Sequence, residues 1–193
     1  MPRPASHTSR SFVEAAIRLF ADHGPRAVTM AAVAEYTGAP SGSVYYRFPD
    51  RPALLAAVWR ETTRALETTI AASLGDDPAA ETVVQTAVVI VEWCREHPHE
   101  TSVLLVGKRA FSPDGWSEAD TTRQLAAEAE RDLLVSAVVR KIADETGRPR
   151  DEVAFALLDL PIAVVRRYSL AGRPIPPSAI DLVERIAHSI LLA

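Results

Sequence analysis

Residues 40–47 run Pro40-Ser41-Gly42-Ser43-Val44-Tyr45-Tyr46-Arg47, with small side chains first and then two phenols and a guanidinium. Hydroxyl, phenol and guanidinium groups donate hydrogen bonds to phosphate oxygens and base edges. On a helix beginning near Pro40, this order lets the first turn approach a base edge closely while longer donors flank it. Gly42 costs about 1 kcal/mol relative to Ala inside a helix. That cost makes sense where a side chain would collide with an approaching groove wall or phosphate; close helix packing is the other reading. A second set, Cys94, His97 and His99, has the spacing of half a metal site, but Pro98 separates the histidines. No further Cys or His cluster follows to complete tetrahedral ligation. No glycine-rich phosphate loop, serine nucleophile motif or carboxylate pair stands out either. The expectation is a protein without catalytic residues, metal or cofactor, and not an enzyme.

The elements that must position residues 40–47 are short helices. A first helix from Ser9 or Ser11 puts Phe12, Ala16, Leu19 and Phe20 on one face and ends at Gly24. Thr29 can N-cap a second carrying Met30, Val33 and Ala34, which stops at Gly38. The third starts at Pro40 or Ser41 and is ended by Pro49. Asp50 caps a fourth presenting Leu54, Leu55, Val58, Trp59 and Leu66 up to Gly75. Two short helices about a glycine corner are the layout of a helix-turn-helix, whose second helix enters the major groove. Further apolar helices are expected over 79–96, 101–108, 117–145, 151–170 and 178–192, and no persuasive strand appears. The fold class is all-α.

The chain has 193 residues, 48% hydrophobic and 24% charged, with a net charge of −4. This composition suits a globular protein. An acidic average alone argues against a nucleic-acid partner. Residues 1–60, however, hold seven arginines against four acidic residues and seven of the twelve aromatics, so the two parts of the chain have different charge and different work. A lone cysteine, Cys94, asks for no oxidising compartment, and no signal peptide or membrane span is visible. A cytoplasmic protein with no membrane partner is expected.

Ala15-Ala16-Ile17-Arg18-Leu19-Phe20-Ala21-Asp22-His23-Gly24, then Val28-Thr29-Met30-Ala31-Ala32-Val33-Ala34, then residues 38–48 and Asp50-Arg51-Pro52-Ala53-Leu54-Leu55 follow one another in a fixed order. Together they resemble the DNA-binding domain of TetR-family transcriptional regulators, over roughly residues 9–59, about a quarter of the chain. The resemblance implies that Thr29 caps the second helix and meets a phosphate. It also implies that Ser41, Ser43 and Tyr45 face bases and backbone, that Tyr46 contacts phosphate and that Phe48 packs the recognition helix. Arg51 stands where the family commonly has Lys. Two departures matter: the family often has Lys in place of Ser41 and His in place of Arg47, so an operator sequence cannot be borrowed from relatives. Arg3 and Arg10, read as a tail before the first helix, are candidates for phosphate or the minor groove, or simply solvated.

Few charges bear on one half-site, so useful affinity for a double-stranded operator requires a homodimer reading a near-palindromic site, its recognition helices about 34–36 Å apart or a multiple. The apolar residues of 151–170 surround their helix, and such a helix must be covered on both sides. Dimerisation is therefore placed in the last two helices, as family members do, with burial inside one subunit as the other reading. On this view residues 1–51 form the DNA-binding domain and 52–193 a helical regulatory and dimerisation domain. A cavity for a small, mostly apolar effector is expected there. Trp93, Phe111, Trp116 and Phe155 are the aromatics available to line it, and Arg109 or Asp159 the polar anchors. Asp159, inside an apolar run, is expected to need a partner such as Arg166. The expected function is a ligand-responsive transcriptional regulator, a repressor released from its operator by the effector. The rival is a DNA-binding structural protein without small-molecule control, against which the acidic, apolar remainder of the chain argues.

Overall fold

Thr8 caps the first helix: its hydroxyl accepts from the Ser11 amide at 3.1 Å while its own amide donates to the Ser11 hydroxyl at 3.0 Å. In the computed structural model, which describes residues 8–192, this reciprocal cap opens α1, Ser9–His23. Arg10 therefore lies in α1, paired with Glu14 at 2.9 Å, and not on a preceding tail. Arg3 lies outside the described residues. There follow α2 (Met30–Thr37), α3 (Ser41–Arg47), α4 (Arg51–Leu74), α5 (Ala80–Glu96), α6 (Pro98–Val106), α7 (Glu118–Thr146), α8 (Arg150–Ala154), α9 (Leu160–Ser169) and α10 (Pro177–Leu191). Among the described residues there is no strand, and the all-α class holds. No described helix is long and apolar enough to cross a membrane.

The chain forms two compact units, residues 1–63 with 99–124, and residues 64–98 with 125–193. In the first unit α1 contributes Phe12, Ala16 and Phe20, α2 contributes Val33, and α3 contributes Val44. From α4 come Leu54, Leu55 and Val58, and all these side chains are buried. Burying each large apolar side chain contributes about 1.5–3 kcal/mol. Val103 and Phe111, from the later segment, complete the core, with Phe111 stacked on Phe20 at 4.8 Å between ring centres. Arg60 of α4 meets Asp120 of α7 at 3.2 Å at the margin of this unit.

In the second unit α10 lays Ala179, Val183, Ala187 and Leu191, a four-residue repeat, against its neighbours. It packs on α5 and α9, and small side chains on the stripe let the helices approach closely. Lys141 of α7 ties the head of the unit, reaching Asp77 at 3.1 Å, Glu145 at 2.6 Å and the Pro78 carbonyl at 3.0 Å.

The expected single helix over 151–170 is interrupted. Phe155–Asp159 forms a π-helical turn between α8 and α9, closed by the Leu160 amide donating to the Phe155 carbonyl five residues back. Pro161 supplies a reason. In a regular helix its ring would collide with the carbonyl four residues before it, and a widened turn makes room. Nor is the segment covered all round. Val153, Ala156, Leu157, Leu160, Val164 and Val165 are buried, whereas Phe155, Ile162 and Leu170 face outward.

Candidate nucleic-acid interface

The corner between α2 and α3 is set by backbone chemistry. Thr29 N-caps α2, its hydroxyl accepting from the Ala32 amide at 3.0 Å, an arrangement worth about 1 kcal/mol. At the other end Gly38 takes a left-handed conformation, φ 67° and ψ 20°, and the Ala39 amide closes back on the Ala34 carbonyl at 2.9 Å. A side chain at Gly38 would strain that turn. Pro40, with φ fixed near the value it shows here, −57°, then starts α3.

Within α3 only Val44 is buried, and it anchors the helix to the first unit's core together with Phe48 just beyond it. The other face looks outward: Ser41 and Gly42 are exposed, Ser43 half-buried, Tyr45 54% exposed and Tyr46 87% exposed. A tyrosine exposed to that degree buries little of its apolar ring within the chain, so its packing cannot explain it. Arg47 is exposed as well, held by the Ser43 carbonyl at 3.4 Å, with its guanidinium carbon 5.7 Å from the Phe12 ring centre and 6.0 Å from that of Tyr46. A Cβ placed on Gly42 would meet nothing within 4 Å. Close packing within the chain is therefore not what Gly42 serves.

Arg51 points the other way. Its Nε donates to the Val28 carbonyl at 2.7 Å and its Nη2 to the Pro25 carbonyl at 2.6 Å, clamping the head of α4 to the turn before α2. Sequence reasoning missed this clamp because its partners lie more than twenty positions away. The Asp50 cap was legible, and its carboxylate accepts from the Ala53 amide at 2.8 Å.

The six effector candidates fall three to each unit. In the first, Phe111 is fully buried in the core, Trp116 donates its indole N–H to the Phe111 carbonyl at 2.9 Å, and Arg109 is exposed. In the second, Trp93 is buried and stacked on the His97 ring at 4.6 Å, while Phe155 and Asp159 border one open, shallow depression that Trp93 does not line. Asp159 is exposed, so the burial cost that called for a partner does not arise, and no ion pair to Arg166 forms within the chain. Two residues the sequence did not single out as polar are notable on α4: the Trp59 Nε1 and Thr62 Oγ1 atoms are buried without a hydrogen-bond partner. His97, of the possible metal half-site, sets Nδ1 2.9 Å from the Trp93 carbonyl, and no group of His, Cys, Asp or Glu able to hold a metal occurs among the described residues.

Residues 12–58 match the profile of the bacterial regulatory proteins of the tetR family. No curated protein matches the chain in sequence. Among solved structures, the TetR family transcriptional regulator PfmR from Thermus thermophilus shares the fold with a TM-score of 0.73 at 15% identity, covering 98% of each chain. A TetR-like transcriptional regulator from Rhodococcus sp. RHA1 gives 0.70 at 19% identity over 100% of both chains. The transcriptional regulator FadR from Bacillus subtilis, in complex with stearoyl-CoA, gives 0.69 at 10% identity, covering 96% of this chain and 98% of that one. At such identities the likeness speaks for the fold, and the profile match speaks for the reader. Residues 12–58 thus match the helix-turn-helix DNA-binding domain of the tetR family of bacterial regulatory proteins, and the chain as a whole shares the fold of solved regulators of that kind.

Proposed function

We propose that this regulator is a cytoplasmic, ligand-gated repressor and not an enzyme: a homodimer that binds a near-palindromic operator and leaves it when a small, largely apolar molecule binds. The observation that carries the DNA reading is α3 itself, anchored by Val44 and by Phe48 just beyond it and presenting Tyr45, Tyr46 and Arg47 outward. In this reading Ser41 and Ser43 approach base edges, Tyr45, Tyr46 and Arg47 grip backbone and flank, and the Thr29 end of α2 meets phosphate with its unbonded amides. Pro40 sets the angle of entry and Arg51 fixes the platform behind. Two copies double the phosphate contacts. The dimer forms through the last two helices, where Phe155, Ile162 and Leu170 are exposed.

Gating is carried by α4, a single helix that begins in the first unit and ends in the second. Its buried Trp59 Nε1 and Thr62 Oγ1 lie one helical turn apart and favour an effector with a hydrogen-bond acceptor beside its apolar body. The stearoyl-CoA held by the Bacillus subtilis protein of the same fold fits that description in its acyl part. A ligand acts only through its unequal affinity for the DNA-fitting and non-fitting arrangements, ordinarily with about 1–3 kcal/mol of coupling. Residues 1–51 are the reader on this view and 52–193 the regulatory and dimerisation part. The test is protection of the intergenic DNA beside its own gene by the purified dimer at modest ionic strength, followed by release with a panel of acyl-CoA thioesters and uncharged apolar compounds. A verified, effector-free dimer that protects no such DNA overturns the proposal; protection that no compound relieves overturns the gating.

A further inference from the structure

The hydroxyls of α4 divide into two kinds. Thr63 donates to the Trp59 and Arg60 carbonyls, both at 3.1 Å, and Thr69 donates to the Ala65 carbonyl at 3.1 Å. These side chains satisfy themselves on the preceding turn of their own helix. Thr62 does not: it is 1% exposed, and its Oγ1 is buried with no hydrogen-bond partner. Two indoles of the same unit contrast in the same way. Trp116 donates its N–H to the Phe111 carbonyl at 2.9 Å, whereas the Trp59 Nε1, one turn before Thr62, is buried and unpartnered. The Trp59 ring lies against that of Phe111, with 5.6 Å between ring centres. Two groups able to donate thus stay unpaired on one helix face while neighbours of the same type pair locally.

The charge of the interior narrows what could pair with them. Among the described residues the buried polar side chains are Thr62, Thr86, Thr101 and Gln124, all of them neutral. The half-buried ions of α4 are already engaged: Arg51 with the Val28 and Pro25 carbonyls, Arg60 with Asp120 at 3.2 Å, and Glu67 with Arg131 at 3.4 Å. An ion enclosed beside Trp59 and Thr62 would find no counter-charge, and burying an unpaired ion costs far more than burying a dipole. The indole N–H only donates and the hydroxyl can donate, so one carbonyl oxygen, with its two lone pairs, can serve both. We infer that the enclosed part of the effector is uncharged and carries a carbonyl group, as a ketone, ester or amide does, whose oxygen accepts from Trp59 Nε1 and Thr62 Oγ1 together. This rests on the ligand-gated reading above and adds to it the chemical class of the ligand. A carboxylate of the same shape brings acceptors but also an unpaired charge, an ammonium brings charge and accepts from neither group, and a hydrocarbon leaves both groups unpaired.

The experiment titrates the full-length protein, without DNA, with four compounds matched in chain length: a medium-chain methyl ketone, the n-alkane, the fatty acid anion and the alkyltrimethylammonium ion. Calorimetry is repeated at several chain lengths so that size is not mistaken for chemistry. At the best length the ketone is expected to bind about tenfold or more tighter than the alkane, and about a hundredfold tighter than either ion. Trp59→Phe and Thr62→Val, each checked by circular dichroism for unchanged helicity, remove one partner apiece. Each should bring the ketone's affinity down towards the alkane's while the alkane binds as before, which a merely structural loss would not leave untouched. An alkane that binds as tightly as the ketone, as it would if water already served the two groups, overturns the inference. So does an ion that binds more tightly than the ketone, or binding of none of the four at any length. Release of protected DNA is then measured separately. A ketone that binds as described and releases nothing overturns the gating and supports the chemistry of the site.

Discussion

The guanidinium carbon of Arg47 stands 5.7 Å from the centre of the fully buried Phe12 ring, so the last residue of α3 is steadied by an aromatic of α1. The charge is thereby held at the end of the exposed helix and is not left to wander on a flexible stem. Arg47→Ala is expected to weaken operator binding and to flatten the logarithmic salt dependence by about one unit per half-site. The thermal midpoint should move little, since an exposed cation over a ring contributes about 0.5–1 kcal/mol. Tyr46→Phe should weaken binding by losing one donor. Anisotropy titrations at several salt concentrations, beside sedimentation, check both; loss of the dimer in either variant would count against this assignment.

Gly42 separates stability from function. With open space around its missing Cβ, Gly42→Ala should stabilise the helix, by up to about 1 kcal/mol. The same methyl group sits on the exposed face proposed to approach DNA, so affinity should fall. A variant that melts higher and binds more weakly is the expected result, and one that melts higher and binds equally well would remove Gly42 from the interface.

Arg51 is a structural clamp before it is anything else. Arg51→Ala strands the Val28 and Pro25 carbonyls, which lie 2.7 and 2.6 Å from its nitrogens. The expected loss is about 1–3 kcal/mol in chemical denaturation. Arg51→Lys should recover only part of it, because one ammonium does not reproduce the planar fork that serves two carbonyls. An undiminished salt slope in Arg51→Ala, which removes the charge, would mark the role as positioning.

These residues also mark what a sequence can and cannot disclose. Thr29, Gly38, Pro49 and Asp50 act on backbone within four residues, so the helices of the reader and their ends were legible from local chemistry alone. Arg51 reaches carbonyls 23 and 26 positions away, and Phe111 joins a core whose other aromatics lie near the N-terminus. Nothing local signals either partner, which is why Phe111 read as an effector contact. The π turn at Phe155–Asp159 was hidden for a related reason: Pro161 announces a disturbance, but periodicity cannot say whether a helix kinks, stops or widens. The exposed Asp159 follows from that turn's placement on the outer face.

Glu67 gives the fold a mild dependence on pH. Half-buried on α4, it has a carboxyl raised above the ordinary glutamate range, chiefly by burial, with Arg131 at 3.4 Å opposing the rise and Glu128 and Asp132 adding to it. A raised folded-state value means that the folded chain holds its proton longer than the unfolded one. Stability from this group is therefore present below the ordinary glutamate value of 4.5 and is lost as pH rises through the raised one. Glu67→Gln should accordingly melt about a degree higher at pH 7 and coincide with the parent near pH 4, discounted because the ion pair with Arg131 is partly solvated. Melting curves across that range decide it, and a variant less stable at pH 7 would show the pair with Arg131 to be the stronger effect.

Thr62 offers a test of the proposed effector acting through α4. Its hydroxyl is buried and unpartnered, with the residue 1% exposed, and an unpaired buried hydroxyl costs about 1–3 kcal/mol by protein mutational measures. Thr62→Val keeps the shape and removes the polar atom, so the effector-free protein should become more stable, by about 2–4 °C per kcal/mol recovered. An effector that satisfies the hydroxyl loses that partner in the variant. Its affinity should therefore fall, and with it the concentration advantage in releasing DNA, while operator binding without effector stays as it was. The discriminating measurement is the effector concentration for half-release from operator, parent against Thr62→Val. A variant that melts higher yet releases at the parent's concentration would place the effector away from this turn of α4.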